Sequence, residues 1–114
     1  MNDRRAEPRL LCSDLIPVRL ELDEPVELIA NLEDISPSGA CIQFEDRVPA
    51  GTRISLKLGR HRFRGTVMYC AEHETGYFAG VRFDAGRKWS IEVYKPRHLL
   101  DPMTLGVRRS KPTV

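Results

Sequence analysis

The chain has 114 residues, with 18 Lys and Arg against 16 Asp and Glu. That length suits one domain burying about two-thirds of its unfolded surface, so neither a metal nor a disulfide is needed for folding. The near-balance of charge argues against a general nucleic-acid binder and confines any anion binding to a local patch.

The first ten residues are polar and carry Arg4, Arg5 and Arg9, and Pro8 opposes a helix there. They lack the apolar centre of a signal peptide and read as a flexible basic arm. No later run approaches the ~20 apolar residues of a membrane span. Cys12, Cys41 and Cys70 are odd in number and widely spaced, as expected for reduced, mostly buried thiols in a cytoplasmic protein.

From Pro17 to Leu22, apolar Val18, Leu20 and Leu22 alternate with Arg19 and Glu21, the period of a half-buried strand. A turn at Asp23–Pro25 leads to a second alternating run, with Val26, Leu28, Ala30 and Leu32 inward; Ile29 interrupts its polar face. A third strand over 41–44 places Ile42 and Phe44 inward, and Ile54, Leu56 and Leu58 define a fourth. Gly59-Arg60 makes a hairpin to a fifth strand, with Phe63, Gly65, Val67 and Tyr69 on one face and Arg62, Arg64, Thr66 and Met68 on the other. Tyr77, Ala79, Val81 and Phe83 mark a sixth.

Six short strands at regular spacing predict an all-β fold, a small six-stranded antiparallel barrel of split or Greek-key type, closed because closure removes exposed edges. Residues 87–95 fit a strand or a short helix equally, and 97–101 could form one helical turn. The expected organisation is an arm over 1–10, a barrel over 11–100 and a disordered tail over 101–114.

Between the second and third strands lies Asp34-Ile35-Ser36-Pro37-Ser38-Gly39. Ser, Pro and Gly at the first, second and fourth places of its last four residues are type I turn chemistry. Asp34 and Ser36, two apart on a strand end, point the same way. An ionised Asp only accepts hydrogen bonds, which suits the N1–H and N2–H₂ donors of guanine. Guanidinium groups bind phosphates in pairs of bonds, stack on purines and read guanine O6 and N7. Arg5 and Arg9, four apart beside Arg4, would therefore complete a receptor for a phosphorylated guanine nucleotide if the arm meets the turn. Catalysis is not expected. His61, His73 and His98 lack metal-ligand spacing, and no nucleophile motif or Gly-rich phosphate loop occurs.

Arg5-Ala6-Glu7-Pro8-Arg9 resembles the R-x-x-x-R element of the PilZ domain family, and Asp34-Ile35-Ser36-Pro37-Ser38-Gly39 resembles its D/N-x-S-x-x-G element. The two stand in the family's order, and Gly80-Val81-Arg82-Phe83 is similar to its late barrel strand, so the likeness covers roughly residues 4–100. It implies a bacterial second-messenger receptor for cyclic di-GMP. Arg5 and Arg9 would grip phosphates and guanine, Asp34 and Ser36 would hold a guanine and its neighbouring phosphate or sugar, and Gly39 would let the ligand approach the backbone. Arg4 is of the type that can take a stacked ligand dimer. Tyr69 could stack on a base or simply pack at the barrel end. No cofactor is implied, and the downstream protein partner is not legible.

Two other readings compete. A small barrel can bind single-stranded nucleic acid, but that calls for exposed aromatics beside a basic groove, whereas Phe44, Phe63 and Phe83 fall on apolar faces. A protein-interaction adaptor could also keep the fold without using the ligand.

Overall fold

A computed structural model describes residues 7–100 of the chain. Six strands, β1 (Leu10–Glu21), β2 (Val26–Ser36), β3 (Gly39–Phe44), β4 (Arg53–Leu58), β5 (His61–His73) and β6 (Gly76–Phe83), close into a barrel in the order β1-β2-β3-β6-β5-β4. All the pairings are antiparallel. The long connection after β3 returns β4 beside β1, the 4-1-2-3 order of a Greek key.

The tight turns obey their residues. Gly59, with φ 63°, opens the two-residue loop that pairs Leu58 with His61, and Arg60 keeps a negative φ, the pattern of a type II′ hairpin. Ser36 pairs with Gly39 around Pro37-Ser38 with no positive φ, as a type I turn requires. Pro17 is tolerated inside β1 because β4 begins to pair only at Val18.

The inward face is apolar. Leu32, Ile35, Ile42, Ile54, Leu56, Leu58, Phe63 and Val67 are fully buried, each worth about 1.5–3 kcal/mol of burial. Phe44 and Phe83 belong to the same core, as their alternation predicts. All three cysteines are unbridged; Cys12 and Cys41 are buried and Cys70 is half-buried.

Three corrections to the sequence reading concern parity and the chain end. The sequence reading sets Tyr69 on one face with Val67; strict alternation, though not the motif reading, would likewise carry Asp34 inward with Ala30 and Leu32. Instead, β2 holds one extra residue against β3 between Leu32 and Asp34, and β5 one extra against β6 between Val67 and Tyr69. Each bulge reverses the facing of the residues beyond it. Ile35 takes the inward place and Asp34 turns out, while Tyr69 leaves the core face and is 39% exposed.

Residues 87–95, open between strand and helix, are neither. No helix occurs among the described residues, and the segment is a loop with one turn closed by the Val93 and Tyr94 amides on Ser90 O. Burial of Trp89 in the core cluster, with its indole N–H donating to Tyr94 O at 2.8 Å, wins over either periodicity. Residues 97–100 are not helical either, since Leu99 bridges to Cys12 beside β1. Among the described residues no helix is long and apolar enough to cross a membrane.

Candidate functional site

The site lies on the outside of the barrel, where two cross-strand rows run side by side. The first row is Asp34 (β2), Cys41 (β3), Gly80 (β6) and Tyr69 (β5); the second is Ser36, Gly39, Arg82 and Thr66 on the same strands. Both exist only because of the bulges, which turn Asp34 and Tyr69 to the same outer face from opposite ends of the row. Glycines and Cys41 keep the floor low between them. The result is a cleft of about 320 Å³ that also includes Glu7, Arg9, Ser38 and Met68.

The segment before β1 reaches this cleft. Arg9 Nη1 lies 3.5 Å from Asp34 Oδ2, the guanidinium half exposed and the carboxylate 14% exposed. Ser38 Oγ donates to Glu7 Oε1 at 2.6 Å, fastening the same segment to the turn. The turn is held from behind as well. The Trp89 amide donates to Pro37 O at 2.9 Å and the Phe83 amide to Ser38 O at 2.8 Å, while Ser36 Oγ donates to Gly39 O at 3.3 Å.

The two glycines on the floor serve the sheet itself. A Cβ on Gly39 would fall 2.3 Å from Val81 O, so close packing of β3 on β6 already demands glycine there. A Cβ on Gly80 would meet the Tyr69 ring at 2.2 Å, so the bare backbone of Gly80 is the seat on which that ring lies.

Of the residues expected from sequence, Arg9, Asp34, Ser36, Gly39 and Tyr69 line one cleft. Arg4 and Arg5 lie outside the described residues. Sequence reasoning missed Glu7, Ser38, Cys41, Gly80 and Arg82. Glu7 and Ser38 fall inside the two motif spans and were open to notice. Cys41, Gly80 and Arg82 become neighbours of Asp34 and Ser36 only through register, which the sequence does not display.

On the neighbouring strand β1 a second carboxylate is set differently. Asp14 on β1 is 3% exposed and accepts from the Arg97 amide at 2.7 Å, the His98 amide at 2.9 Å and the Tyr94 hydroxyl, with His98 Nδ1 at 3.2 Å. Burial alone would push this carboxyl up, but the donors together outweigh it and hold it below its ordinary value. Burial and the neighbouring carboxylate push the Tyr94 hydroxyl well above its ordinary value. Among the described residues no group of three or more His, Cys, Asp or Glu is arranged to hold a metal.

Fold and site together define a small closed barrel with an outer-wall cleft where two arginines, two carboxylates and a tyrosine ring meet. In sequence, the PilZ domain matches residues 3–91, most of the chain, and the protein belongs to the PilZ domain family. No curated protein matches it in sequence. Among solved structures it is similar to Escherichia coli YcgR in complex with c-di-GMP, at 20% identity and a TM-score of 0.58, over 73% of this chain and 39% of that one. The PilZ domain of YcgR with c-di-GMP aligns at 20% identity and 0.56, over 73% and 79% of the two chains. Bacillus subtilis inhibitor of motility, MotI/DgrA, aligns at 14% and 0.52, over 80% and 46%. These likenesses show the fold, and the chain spans about two-fifths of YcgR.

Proposed function

We propose that this protein is a non-catalytic cytoplasmic receptor for cyclic di-GMP that orders its N-terminal arm on binding and passes the signal to a partner protein. The observation that carries the reading is the meeting of both motif halves in one cleft, with Arg9 3.5 Å from Asp34 and Tyr69 on the opposite wall. Donor chemistry supports it too. Arg9 and Arg82 offer bidentate forks for phosphate, Asp34 accepts from a guanine edge, and Ser36 suits a neighbouring phosphate or sugar oxygen.

The mechanism is an exchange of partners. Arg9 leaves Asp34 for a ligand phosphate, and the vacated carboxylate takes the guanine N–H donors, so the ligand replaces an ion pair already formed. Arg5, and Arg4 beside it, would close over the ligand from the arm and trade chain entropy for charge-assisted bonds.

Titration calorimetry with cyclic di-GMP tests this. Arg5→Ala, Arg9→Ala and Asp34→Ala should each weaken binding at least tenfold, about 1.4 kcal/mol, and affinity should fall as salt rises. Three variants binding like the parent would refute the assignment.

A further inference from the structure

The charge of this protein is unevenly spread. Residues 53–66 and 82–88 carry eight lysines and arginines and one carboxylate, Asp84, while the whole chain is +2, so the remainder carries a net charge of −5. The cations are exposed: Arg53, Lys57, Arg62, Arg64 and Arg82 stand on the outer wall of β4, β5 and the end of β6. Arg60 lies in the β4–β5 turn, and Arg87 and Lys88 come just after β6, where the Arg87 guanidinium lies over the Phe63 ring. Lys57 stands directly opposite Arg62 across two strands, and Arg62 and Arg64 share one face. Like charges set opposite each other destabilise a sheet. Among the described residues only Arg53 of this group forms an ion pair within 4 Å, and its partner Asp84 also attracts Arg64. Arg19 on β1, at the border of this wall, shows the contrast, since both Glu21 and Glu27 pair with it.

We infer that this basic wall is the docking surface for an acidic segment of a partner protein. The inference takes up the partner half of the receptor reading and rests on it only for the link to the ligand. Charge complementarity calls for an anion, and the wall itself shows which kind. Arg53 grips Asp84 with two parallel bonds of 2.8 and 2.7 Å, a carboxylate held fork to fork. That fork, through its hydrogen bonds, holds the Asp84 carboxyl below its ordinary value. Beside it, Arg62, Arg64 and Arg87 line a depression of about 380 Å³ with Asp84.

Arg62 and Arg64 repeat at about 6.8 Å along β5, the spacing of alternate side chains on an extended acidic segment. The other anionic surfaces fit less well. A wall of three strands abreast is neither the helix nor the two-stranded ribbon that a major groove admits. Residues 53–66 and 82–88 include no exposed aromatic ring for unpaired bases and no large exposed apolar side chain for a bilayer; Met68 and Tyr69, exposed further along β5, line the ligand cleft. Arg82 belongs to both the wall and the ligand cleft, so phosphate bound in the cleft would lower the charge offered to the partner at that edge.

The test uses the full chain and a labelled twelve-residue peptide of alternating Asp and Thr, followed by fluorescence anisotropy in low salt. A 20-base-pair duplex DNA and phosphatidylserine vesicles are parallel arms. The peptide should bind the parent more tightly than either at equal charge, and R62E/R64E should weaken it at least tenfold. Equal peptide binding by parent and variant, or tighter binding of DNA or vesicles, would overturn the inference. The neutral variant R62T/R64T guards against misfolding. It should melt no lower than the parent, because the repulsion with Lys57 is removed, and it should also lose the peptide. A lower melting temperature would mean that the charges serve the fold and would overturn the docking role. Cyclic di-GMP affinity should stay within twofold in both variants. Its absence already in the parent would sink the receptor reading and leave the peptide result to decide the docking face.

Discussion

Asp14 and Asp34 stand on adjacent strands, within two rungs of each other in the β1–β2 ladder, and the chain treats them in opposite ways. Asp14 opposes Leu32 and Asp34 opposes Leu11. Asp14 faces inward and is fully wrapped by donors from the Tyr94–His98 segment, eighty residues away in sequence. Asp34 faces the cleft, and its arginine comes from the exposed N-terminal segment at 3.5 Å. A carboxylate whose donors are backbone amides cannot give them up without unfolding something. One paired with a half-exposed guanidinium can exchange it for a ligand. The first is therefore a lock on the fold, the second a recognition group on the reading proposed above, and each can be broken separately.

The largest effect should come from the lock. Asp14→Ala leaves two amides and a hydroxyl without their acceptor in a buried place, costing about 3 kcal/mol by urea denaturation. Cyclic di-GMP affinity of the folded fraction should stay within threefold. A full loss of binding with intact stability would reverse the two roles. The same lock sets the pH profile. The Asp14 carboxyl lies below its unfolded value of about 3.9, so its stabilisation is complete above that pH and is lost as pH falls through the lower folded value. Tyr94 lies above its ordinary value of about 10, so its share is complete below that pH and is lost on alkaline titration. The denaturation midpoint should therefore hold level between about 4 and 10 and drop on the acid side. In Asp14→Asn the acid drop should shrink.

Next come the floor glycines, which separate fold from site within the cleft. At Gly39 the obstacle is the backbone oxygen of Val81, so Gly39→Ala must part β3 from β6 and should cost roughly 1–3 kcal/mol of stability. At Gly80 the obstacle is the Tyr69 ring, which can swing aside, so Gly80→Ala should melt within a few degrees of the parent. If the ring stacks on a base, both Gly80→Ala and Tyr69→Ala should weaken cyclic di-GMP binding at least fivefold, about 1 kcal/mol. Unchanged affinity in both would leave Tyr69 as a packing residue.

Much of this was legible from alternation alone. Val18, Leu20, Ile54, Leu56, Phe63 and Val81 declare their strands because one face is wet and the other dry, and six such runs without a helical stretch leave few folds. Boundaries were shorter than the real strands, since β1 extends back to Leu10 through Cys12-Ser13-Asp14, where polar residues interrupt the pattern. The bulges were invisible, because an extra residue leaves no mark in composition and shows only when a partner strand fixes the count. The motif residues were singled out by their chemistry and their family resemblance even though simple parity would have buried Asp34. Asp14 was missed because two of its donors are backbone amides, which no residue type announces, and all of its partners come from a segment remote in sequence.

The smallest effect should fall on the hinge between the two regions. Ser38 gives its hydroxyl hydrogen to Glu7, which lies two residues before Arg9. This bond leaves the Asp14 lock untouched and contacts neither Asp34 nor Arg9, so it bears only on where the arm begins. A single exposed or half-exposed hydrogen bond is worth about 0.5–1.5 kcal/mol at most, and less when water can replace it. Ser38→Ala should accordingly leave the melting temperature unchanged within about 2 °C. If the arm orders on binding as proposed, Ser38→Ala should weaken cyclic di-GMP binding about two- to threefold, because one tie that positions Arg9 is gone. That loss should appear in the association rate, with dissociation unaltered, when binding is tracked by stopped flow. A change in dissociation alone would mean that Ser38 touches the ligand, and would move it from the hinge into the recognition group beside Asp34.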